Sequence, residues 1–204
     1  MRKMSEHYYT KRPTVESDRQ TIRTTLRGKP YTFITEAGVF SKREVDFGSR
    51  LLIETMDIPE DAQVLDVGCG YGPIGLAAAT LAKRGEVTMV DVNERAVGIA
   101  KENAERHGIR NVRIVQSDLF EALEEEETFD AILTNPPIRA GKAVVHRIFE
   151  GACERLRPGG SLWVVIQKKQ GAPSAFAKME ELFGNVREVT KDKGYRILRS
   201  IKEN

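Results

Sequence analysis

Short apolar runs alternate with longer amphipathic segments along the chain from residue 62 onward. The runs are rich in Val, Ile and Leu, which is typical of strands buried on both faces of a parallel sheet. The segments between them have the length and apolar spacing of helices. This order predicts an α/β fold with a Rossmann-like, mostly parallel sheet and helices on both faces. The predicted strands span 63–67, 87–91, 112–115, 129–134 and 162–166, and the predicted helices span 74–82, 94–107, 143–156 and 175–183.

Individual residues mark several ends of these elements. Asn93 is expected to cap the helix that begins at Glu94. The sequence Arg157-Pro158-Gly159-Gly160 is expected to stop the preceding helix and to separate it from the fifth strand. After the last helix, residues 186–190 and 195–201 predict a hairpin that closes the sheet.

The region before this alternation has a different pattern. Residues 21–26 and 31–35 flank a turn that contains glycine and proline, and they predict a second hairpin. A further helix is predicted to begin at Gly48. We therefore expect a small, β-rich N-terminal extension over residues 1–47, packed on a core domain over residues 48–204.

Composition and charge narrow the class of protein. No apolar run in the 204 residues approaches the roughly 20 that a membrane helix needs. The two cysteines, Cys69 and Cys153, indicate neither a disulfide framework nor a zinc site, so we expect a cytoplasmic protein without a metal. The net charge of +2 is unevenly spread, with +5 in residues 1–50, −7 in residues 51–166 and +4 in residues 167–204. Basic ends that meet on one surface would suit a polyanion, and ordinary solvated faces are the alternative.

The sharpest local motif is Asp66-Val67-Gly68-Cys69-Gly70-Tyr71-Gly72, between a predicted strand and a predicted helix. Glycines in such a turn let the backbone approach a ligand without a clash at Cβ. The motif alone would also suit a dinucleotide, as in a dehydrogenase, or a tight turn with no ligand. Asp66 favours another ligand, because its carboxylate would repel a pyrophosphate and attract an amino group. The methionine part of S-adenosylmethionine carries such a group.

Polar residues follow the next two strands as well. Asp91 ends the second strand, where a carboxylate can accept both ribose hydroxyls, and Ser117-Asp118 follows the third strand, where it can hydrogen-bond an adenine. All of them lie at the carboxyl ends of parallel strands, the edge at which open α/β sheets bind ligands. The candidate cofactor-binding residues are Asp66, Gly68, Cys69, Gly70, Gly72, Asp91, Val92, Asn93, Ser117, Asp118 and Leu119.

The motif Asn135-Pro136-Pro137 directly follows the fourth strand and faces the same edge. It suits chemistry on an exocyclic amino group, whose nitrogen lone pair is delocalised into the base. The side-chain oxygen of Asn135 and the backbone carbonyl of Pro136 can accept its two N–H bonds, while the prolines hold the backbone rigid. The lone pair can then point at a sulfonium methyl group, so catalysis would come from positioning and electrostatics. A plain Asn-Pro turn is the alternative.

Cations near this edge are candidates to bind the acceptor. Arg139 and Lys142 lie just beyond the Asn-Pro-Pro motif, and Lys168 and Lys169 follow the fifth strand. They could hold phosphates beside a flipped base, and solvated loop residues are the alternative.

As a set, these motifs resemble a known family. Residues 66–70 with 135–137 resemble the class I methyltransferases that act on amino nitrogens. Gly38-Val39-Phe40-Ser41-Lys42 with Asp46-Phe47-Gly48 resembles the RsmC-type small-subunit ribosomal RNA guanine-N2 methyltransferases. Residues 135–142 and 167–171 are similar to a small, single-domain branch of that family. The resemblance covers roughly residues 5–202.

The resemblance implies S-adenosylmethionine as cofactor, S-adenosylhomocysteine as product, and a seven-stranded sheet whose last strand is antiparallel. It implies ribosomal RNA or the small ribosomal subunit as partner and no membrane; for the oligomeric state a monomer is the default expectation. Two features depart from the family. Two-domain members carry a degenerate domain ahead of the catalytic one, whereas here about 60 residues precede the glycine motif. The position after Asn-Pro-Pro is usually aromatic and here is Ile138, so Phe40 is a candidate to supply the stacking ring.

Other functions stay open at this point. The same Asn-Pro-Pro geometry would serve a protein glutamine, or adenine in DNA or RNA, and the basic ends favour nucleic acid. A non-catalytic RNA-binding module is a third hypothesis, which the intact set of Asp66, Asp91 and Asn135 disfavours. A dehydrogenase is the least favoured, because no hydride-transfer partner is indicated.

Overall fold

The alternation predicted from the sequence is present in the structure, a computed structural model that describes residues 18–36 and 44–204. Its elements are the strands β1 (Gln20–Leu26), β2 (Lys29–Thr35), β3 (Gln63–Val67), β4 (Glu86–Asp91), β5 (Val112–Gln116), β6 (Phe129–Thr134), β7 (Leu156–Gln167), β8 (Arg187–Asp192) and β9 (Tyr195–Ile201), and the helices α1 (Phe47–Thr55), α2 (Pro73–Leu81), α3 (Glu94–Arg106), α4 (Lys142–Arg155) and α5 (Ala172–Phe183). Two short 3-10 helices, Ile138–Ala140 and Lys168–Gln170, follow β6 and β7.

The central sheet has seven strands in the order β5-β4-β3-β6-β7-β9-β8. The strands from β5 to β7 are parallel, and β9 runs antiparallel to both β7 and β8. The predicted Rossmann-like fold is therefore confirmed, including the antiparallel last strand. The apolar core fills both faces, because successive side chains of a strand point to opposite sides. In β3, Val64 packs in one cluster, while Leu65 and Val67 pack in the other.

One predicted boundary is wrong. The sequence Arg157-Pro158-Gly159-Gly160 was expected to separate a helix from a strand, but these residues belong to β7, which begins at Leu156. Leu156 pairs with Phe129 across a register shift in β6. The N–H of Gly159 donates to Lys202 at 2.6 Å, and Gly160 accepts from the same residue at 2.8 Å. Proline and glycine are tolerated here because the strand pairing is irregular, so these residues do not have to form a continuous ladder of backbone hydrogen bonds.

The N-terminal hairpin of β1 and β2 forms as predicted and packs on α3. The N–H of Ile34 donates to Oδ1 of Asn103 at 2.7 Å, and Nδ2 of Asn103 donates back to the carbonyl of Ile34 at 2.9 Å. The same Nδ2 donates to the carbonyl of Tyr71 in the glycine-rich loop at 2.8 Å. The side chain of Asn103 therefore connects the hairpin to the loop that precedes α2. The division at residues 47 and 48 stays a prediction.

None of the helices within residues 18–36 and 44–204 is long and apolar enough to cross a membrane.

Candidate active site

The predicted site residues lie along one edge of the sheet, where five parallel strands end. Gly68 follows β3, Asp91 ends β4, Ser117 follows β5, Asn135 follows β6 and Lys168 follows β7. In the spatial order β5-β4-β3-β6-β7, the candidate cofactor residues lie on one side of Asn135 and the lysines on the other. This is the edge at which open α/β sheets bind ligands.

The glycine-rich loop is fixed to the end of β4 by backbone hydrogen bonds. The N–H groups of Gly68 and Cys69 both donate to the carbonyl of Val90 at 2.9 Å. The N–H of Gly70 donates to Oδ2 of Asp91 at 2.8 Å. Gly70 has a φ of 57°, a left-handed conformation that glycine adopts without the steric cost of a Cβ. The loop and the end of β4 therefore form one unit.

Asp66 is fully buried, and neither of its carboxylate oxygens forms a hydrogen bond with a described residue. The pKa of Asp66 is raised to about 7, mainly by burial; the nearby backbone N–H of Gly75 lowers it, and the charge of Asp91 contributes to the rise. A buried carboxylate without a partner is costly unless a cation or a donor compensates it. Asp66 thus fits a ligand that brings an amino group, as S-adenosylmethionine does.

Asp91 is held by the backbone on both sides. Its Oδ2 accepts from Gly70, and its Oδ1 accepts from the N–H of Asn93 at 2.8 Å. A carboxylate oxygen can accept more than one hydrogen bond. Binding of ribose hydroxyls by Asp91 stays a prediction. The side chain of Asn93 caps α3 as predicted, accepting from two N–H groups of its first turn at 3.0 and 3.2 Å.

A narrow, mainly apolar cleft lies between the ends of β3, β4 and β5. Ser117 shapes its far wall, since its hydroxyl donates to the carbonyl of Leu119 at 2.8 Å and accepts from the N–H of Ala122 at 3.0 Å. Leu119 has a φ of 55°, which is uncommon for a residue other than glycine. Direct contact of Ser117 or Asp118 with an adenine stays a prediction. The cleft is lined by Val67, Gly68, Val90, Asp91, Val92, Ser117, Leu119, Pro137 and Ile148.

The side chain of Asn135 has one fixed orientation. Its Nδ2 donates to Oδ2 of Asp46 at 2.9 Å and to Oγ of Ser49 at 3.0 Å. Because a carboxylate only accepts hydrogen bonds, Asp46 selects the nitrogen end of the amide. No residue in the described ranges donates to Oδ1 of Asn135. This oxygen is the end of the amide that faces away from Asp46.

Asp46 and Ser49 are site residues that the sequence analysis missed. Asp46 is the N-cap of α1, and its Oδ2 also accepts from the N–H of Ser49 at 3.1 Å. The N-cap spacing was visible in the sequence. The contact with Asn135 was not, because 89 positions separate the two residues.

Of the two prolines after Asn135, Pro137 is the N-cap of the short 3-10 helix Ile138–Ala140. The carbonyl of Pro137 accepts from the N–H of Ala140 at 2.9 Å, whereas the carbonyl of Pro136 accepts from no described residue. Pro136 is buried, and the following proline restricts its ψ and therefore the direction of its carbonyl. Ile138 is half-buried and packs against the core next to α4.

The four candidate phosphate-binding cations are all exposed. Arg139 lies in the short 3-10 helix after β6, Lys142 is the first residue of α4, and Lys168 and Lys169 lie in the 3-10 helix after β7. Phe40, the candidate stacking ring, lies outside the described residues.

Cys69 is buried within the glycine-rich loop. Burial raises the pKa of its thiol well above the ordinary value, and the charges of Asp91 and Asp66 act in the same direction. Cys69 therefore stays a neutral thiol near neutral pH. In the described part of the chain, no group of three or more His, Cys, Asp or Glu side chains could hold a metal ion.

This fold and this edge define a class I S-adenosylmethionine-dependent methyltransferase. The sequence model of the methyltransferase small domain family matches residues 30–199, and the chain belongs to that family. The resemblance found in the sequence motifs is confirmed.

Three relatives illustrate the similarity. The Bacillus subtilis protein YbxB is 58% identical over 200 residues, which cover 98% of this chain and 100% of YbxB. Ribosomal RNA large subunit methyltransferase G of Streptomyces avermitilis is 32% identical over 87% of this chain and 47% of that protein. The T. thermophilus 16S rRNA N2 methyltransferase RsmC, solved in complex with AdoMet and guanosine, is 32% identical with a TM-score of 0.81. That match covers 94% of this chain and 52% of RsmC, so the chain spans about half the length of both methyltransferases.

Proposed function

We propose that this methyltransferase transfers a methyl group to the exocyclic amino nitrogen, N2, of guanine in ribosomal RNA. The observation that carries the proposal is the orientation of Asn135. Its nitrogen end is occupied by Asp46 and Ser49, so its oxygen end is the one available to an amino group. An amide turned the other way would present N–H donors to the amino group, and two donors repel.

Two acceptors can fix an amino group at this edge. Oδ1 of Asn135 and the carbonyl of Pro136 can each accept one of its N–H bonds. The nitrogen is then held with its lone pair directed away from both acceptors. The rate gain comes from positioning and from fixed dipoles rather than from a strong base.

We assign the cofactor to the side of Asn135 on which β3, β4 and β5 end. S-adenosylmethionine supplies an electrophilic methyl group on its sulfonium. Asp66 is assigned to its amino group, because the carboxylate is buried without a partner. Asp91 is assigned to the ribose hydroxyls, and the cleft beside Ser117 and Leu119 to the adenine.

The substrate assignment draws on the relatives. Large subunit methyltransferase G acts on ribosomal RNA, and RsmC is a 16S rRNA N2 methyltransferase, solved with guanosine. The basic segment 167–204 supports a polyanionic acceptor. Of the two subunits, we propose the small one, in keeping with the sequence resemblance. We also propose that the protein acts in the cytoplasm, where ribosomes are.

The test uses methyl-labelled S-adenosylmethionine with four separate acceptors: small ribosomal subunits, large subunits, naked ribosomal RNA and total cell protein. Labelled RNA is digested to nucleosides. We expect the label in N2-methylguanosine, and the acceptor that carries it identifies the subunit and its assembly state.

Other products would contradict the proposal in specific ways. Label in methyladenosine would move the target to adenine, and label in protein would move it to a glutamine. Asn135→Ala should lower the turnover number at least 100-fold and leave cofactor affinity unchanged. Equal loss of both would make Asn135 structural.

A further inference from the structure

Beyond Asn135, the same edge of the sheet continues onto β9 and the β8–β9 turn. Tyr195, the first residue of β9, pairs with Gln167, the last residue of β7. The N–H of Lys168 donates to the carbonyl of Gly194 at 2.8 Å. Backbone pairing therefore brings the turn and the start of β9 to the edge that carries Asn135.

Two aromatic rings lie beside the contact that orients Asn135. The ring of Tyr195 packs on Gly48, where a Cβ would lie 2.8 Å from Cε1 of Tyr195 and 3.1 Å from Oδ2 of Asp46. The ring centroids of Phe47 and Tyr195 are 5.5 Å apart, with the planes inclined by 46°. Both side chains are half-buried, so each keeps part of its ring at the surface.

One lysine contacts one of these rings, and further lysines lie in the 3-10 helix after β7 and at the end of β8. The ammonium of Lys193 lies over the ring of Phe47, 4.9 Å from its centroid. Residues 168–169 and 191–193 supply four lysines and one aspartate, a net charge of +3. The four lysines are exposed, and the ion pairs among the described residues do not include them.

We propose that Phe47, Tyr195 and Lys193, here called the aromatic platform, bind the nucleotide next to the target guanine in a single-stranded segment of RNA. The inference rests on the proposed function and assigns the path of the RNA strand away from Asn135. Aromatic rings interleaved with cations are the surface that unpaired bases and their phosphates recognise. A base pair in a duplex has no free face for such a ring, so the platform selects an unpaired segment.

The contact between Lys193 and Phe47 is compatible with this use. A cation over an exposed ring is held more weakly than a base stacked on it. An incoming base can therefore displace the ammonium from Phe47, and the displaced ammonium can pair with the phosphate of the same nucleotide.

The test measures RNA binding without methyl transfer. A fluorescein-labelled single-stranded RNA of about 12 nucleotides is titrated with the full chain, and anisotropy gives the Kd. Phe47→Leu should weaken binding about tenfold, and Phe47→Tyr, which keeps a ring, should bind like the unchanged protein. Lys193→Ala should weaken binding and lower the slope of log K against log salt by about 0.7. The matched control is Lys83→Ala, an exposed lysine just before β4 at the opposite edge, which should leave both quantities unchanged.

The proposal is overturned if Phe47→Leu and Lys193→Ala bind the RNA as tightly as the unchanged protein. Lys193 is exposed, so Lys193→Ala should fold, and unchanged RNA binding in that variant overturns the proposal even if Phe47→Leu unfolds. Competition with polyglutamate gives a second criterion. A patch of cations alone would bind polyglutamate as tightly as it binds RNA, and its affinity for RNA would not change in Phe47→Leu. The outcome is separable from the proposed function, since a protein that methylates another nucleotide can still lose RNA binding in these variants.

Discussion

Removal of the Asp46 carboxylate should impair catalysis through Asn135, although Asp46 itself need not touch the substrate. Oδ2 of Asp46 accepts from Asn135 at 2.9 Å and from the N–H of Ser49 at 3.1 Å. In Asp46→Ala the hydroxyl of Ser49 remains beside the amide, but a hydroxyl can donate as well as accept. It therefore no longer selects which end of the amide faces the substrate.

The magnitude follows from the two contacts that are lost. A hydrogen bond to a charged group is worth about 1.5–3 kcal/mol, which corresponds to a loss in turnover number of about 10- to 150-fold if all of this energy serves to orient Asn135. Loss of the N-cap of α1 costs about 1 kcal/mol and lowers the Tm by about 2–4 °C. Asp46→Asn keeps an oxygen for both contacts and caps a helix about as well, so it should lose only a few-fold in turnover and almost no stability.

The assay is steady-state methyl transfer to ribosomal RNA at saturating RNA and cofactor, with cofactor affinity and Tm measured on the same samples. Asn111→Ala is the matched control, because Nδ2 of Asn111 holds the carbonyls of Ala79 and Ala82 at 3.0 and 2.8 Å, remote from the site. It should lower the Tm and keep the turnover number. An unchanged turnover number in Asp46→Ala would refute the orienting role. A fall matched by equal losses of cofactor affinity would show that the variant disturbs the whole edge.

Two further predictions concern the cofactor side. Asp91→Ala should weaken cofactor binding by about 1.5–3 kcal/mol in a calorimetric titration, and it should also lower the Tm because Gly70 loses its acceptor. Unchanged affinity would exclude the ribose assignment. In the folded chain, burial raises the pKa of Asp66 to about 7, whereas in the unfolded chain it is about 3.9. Between these two pH values the folded chain therefore binds one proton more than the unfolded chain. The free energy of unfolding of the cofactor-free protein, relative to Asp66→Asn, should therefore fall as pH rises from about 4 to 7, by up to about 1.4 kcal/mol per pH unit. Cofactor affinity should rise through the same window in the unchanged protein alone, and a pH-independent difference in stability would contradict the buried, unpaired carboxyl.

The local elements of the site could be predicted because each is a short pattern. Each feature consists of residues that are close together in the sequence: the glycine-rich turn, the N-cap at Asn93 and the Asn-Pro-Pro motif. The mostly parallel sheet could be predicted from the alternation of elements, since parallel strands need helical crossovers. The start of β7 was missed for the converse reason. Its first residues are held by Lys202, beyond the end of β9, and no local pattern reveals such a partner.

The contact between Asp46 and Asn135 shows what sequence patterns leave out and why it matters for specificity. Asn135 could be identified from its neighbours, but an amide has a donor end and an acceptor end, and only a partner from elsewhere in the chain decides between them. The N-terminus of α1 supplies that partner, because α1 packs on β7 and β9 beside β6. The same packing seats Gly48 against Tyr195 and so places the aromatic platform next to Asn135. The first turn of α1 therefore influences both the orientation of the Asn135 amide and the surface proposed to bind the RNA strand. Changes in this turn should alter both the rate of methyl transfer and the choice of acceptor.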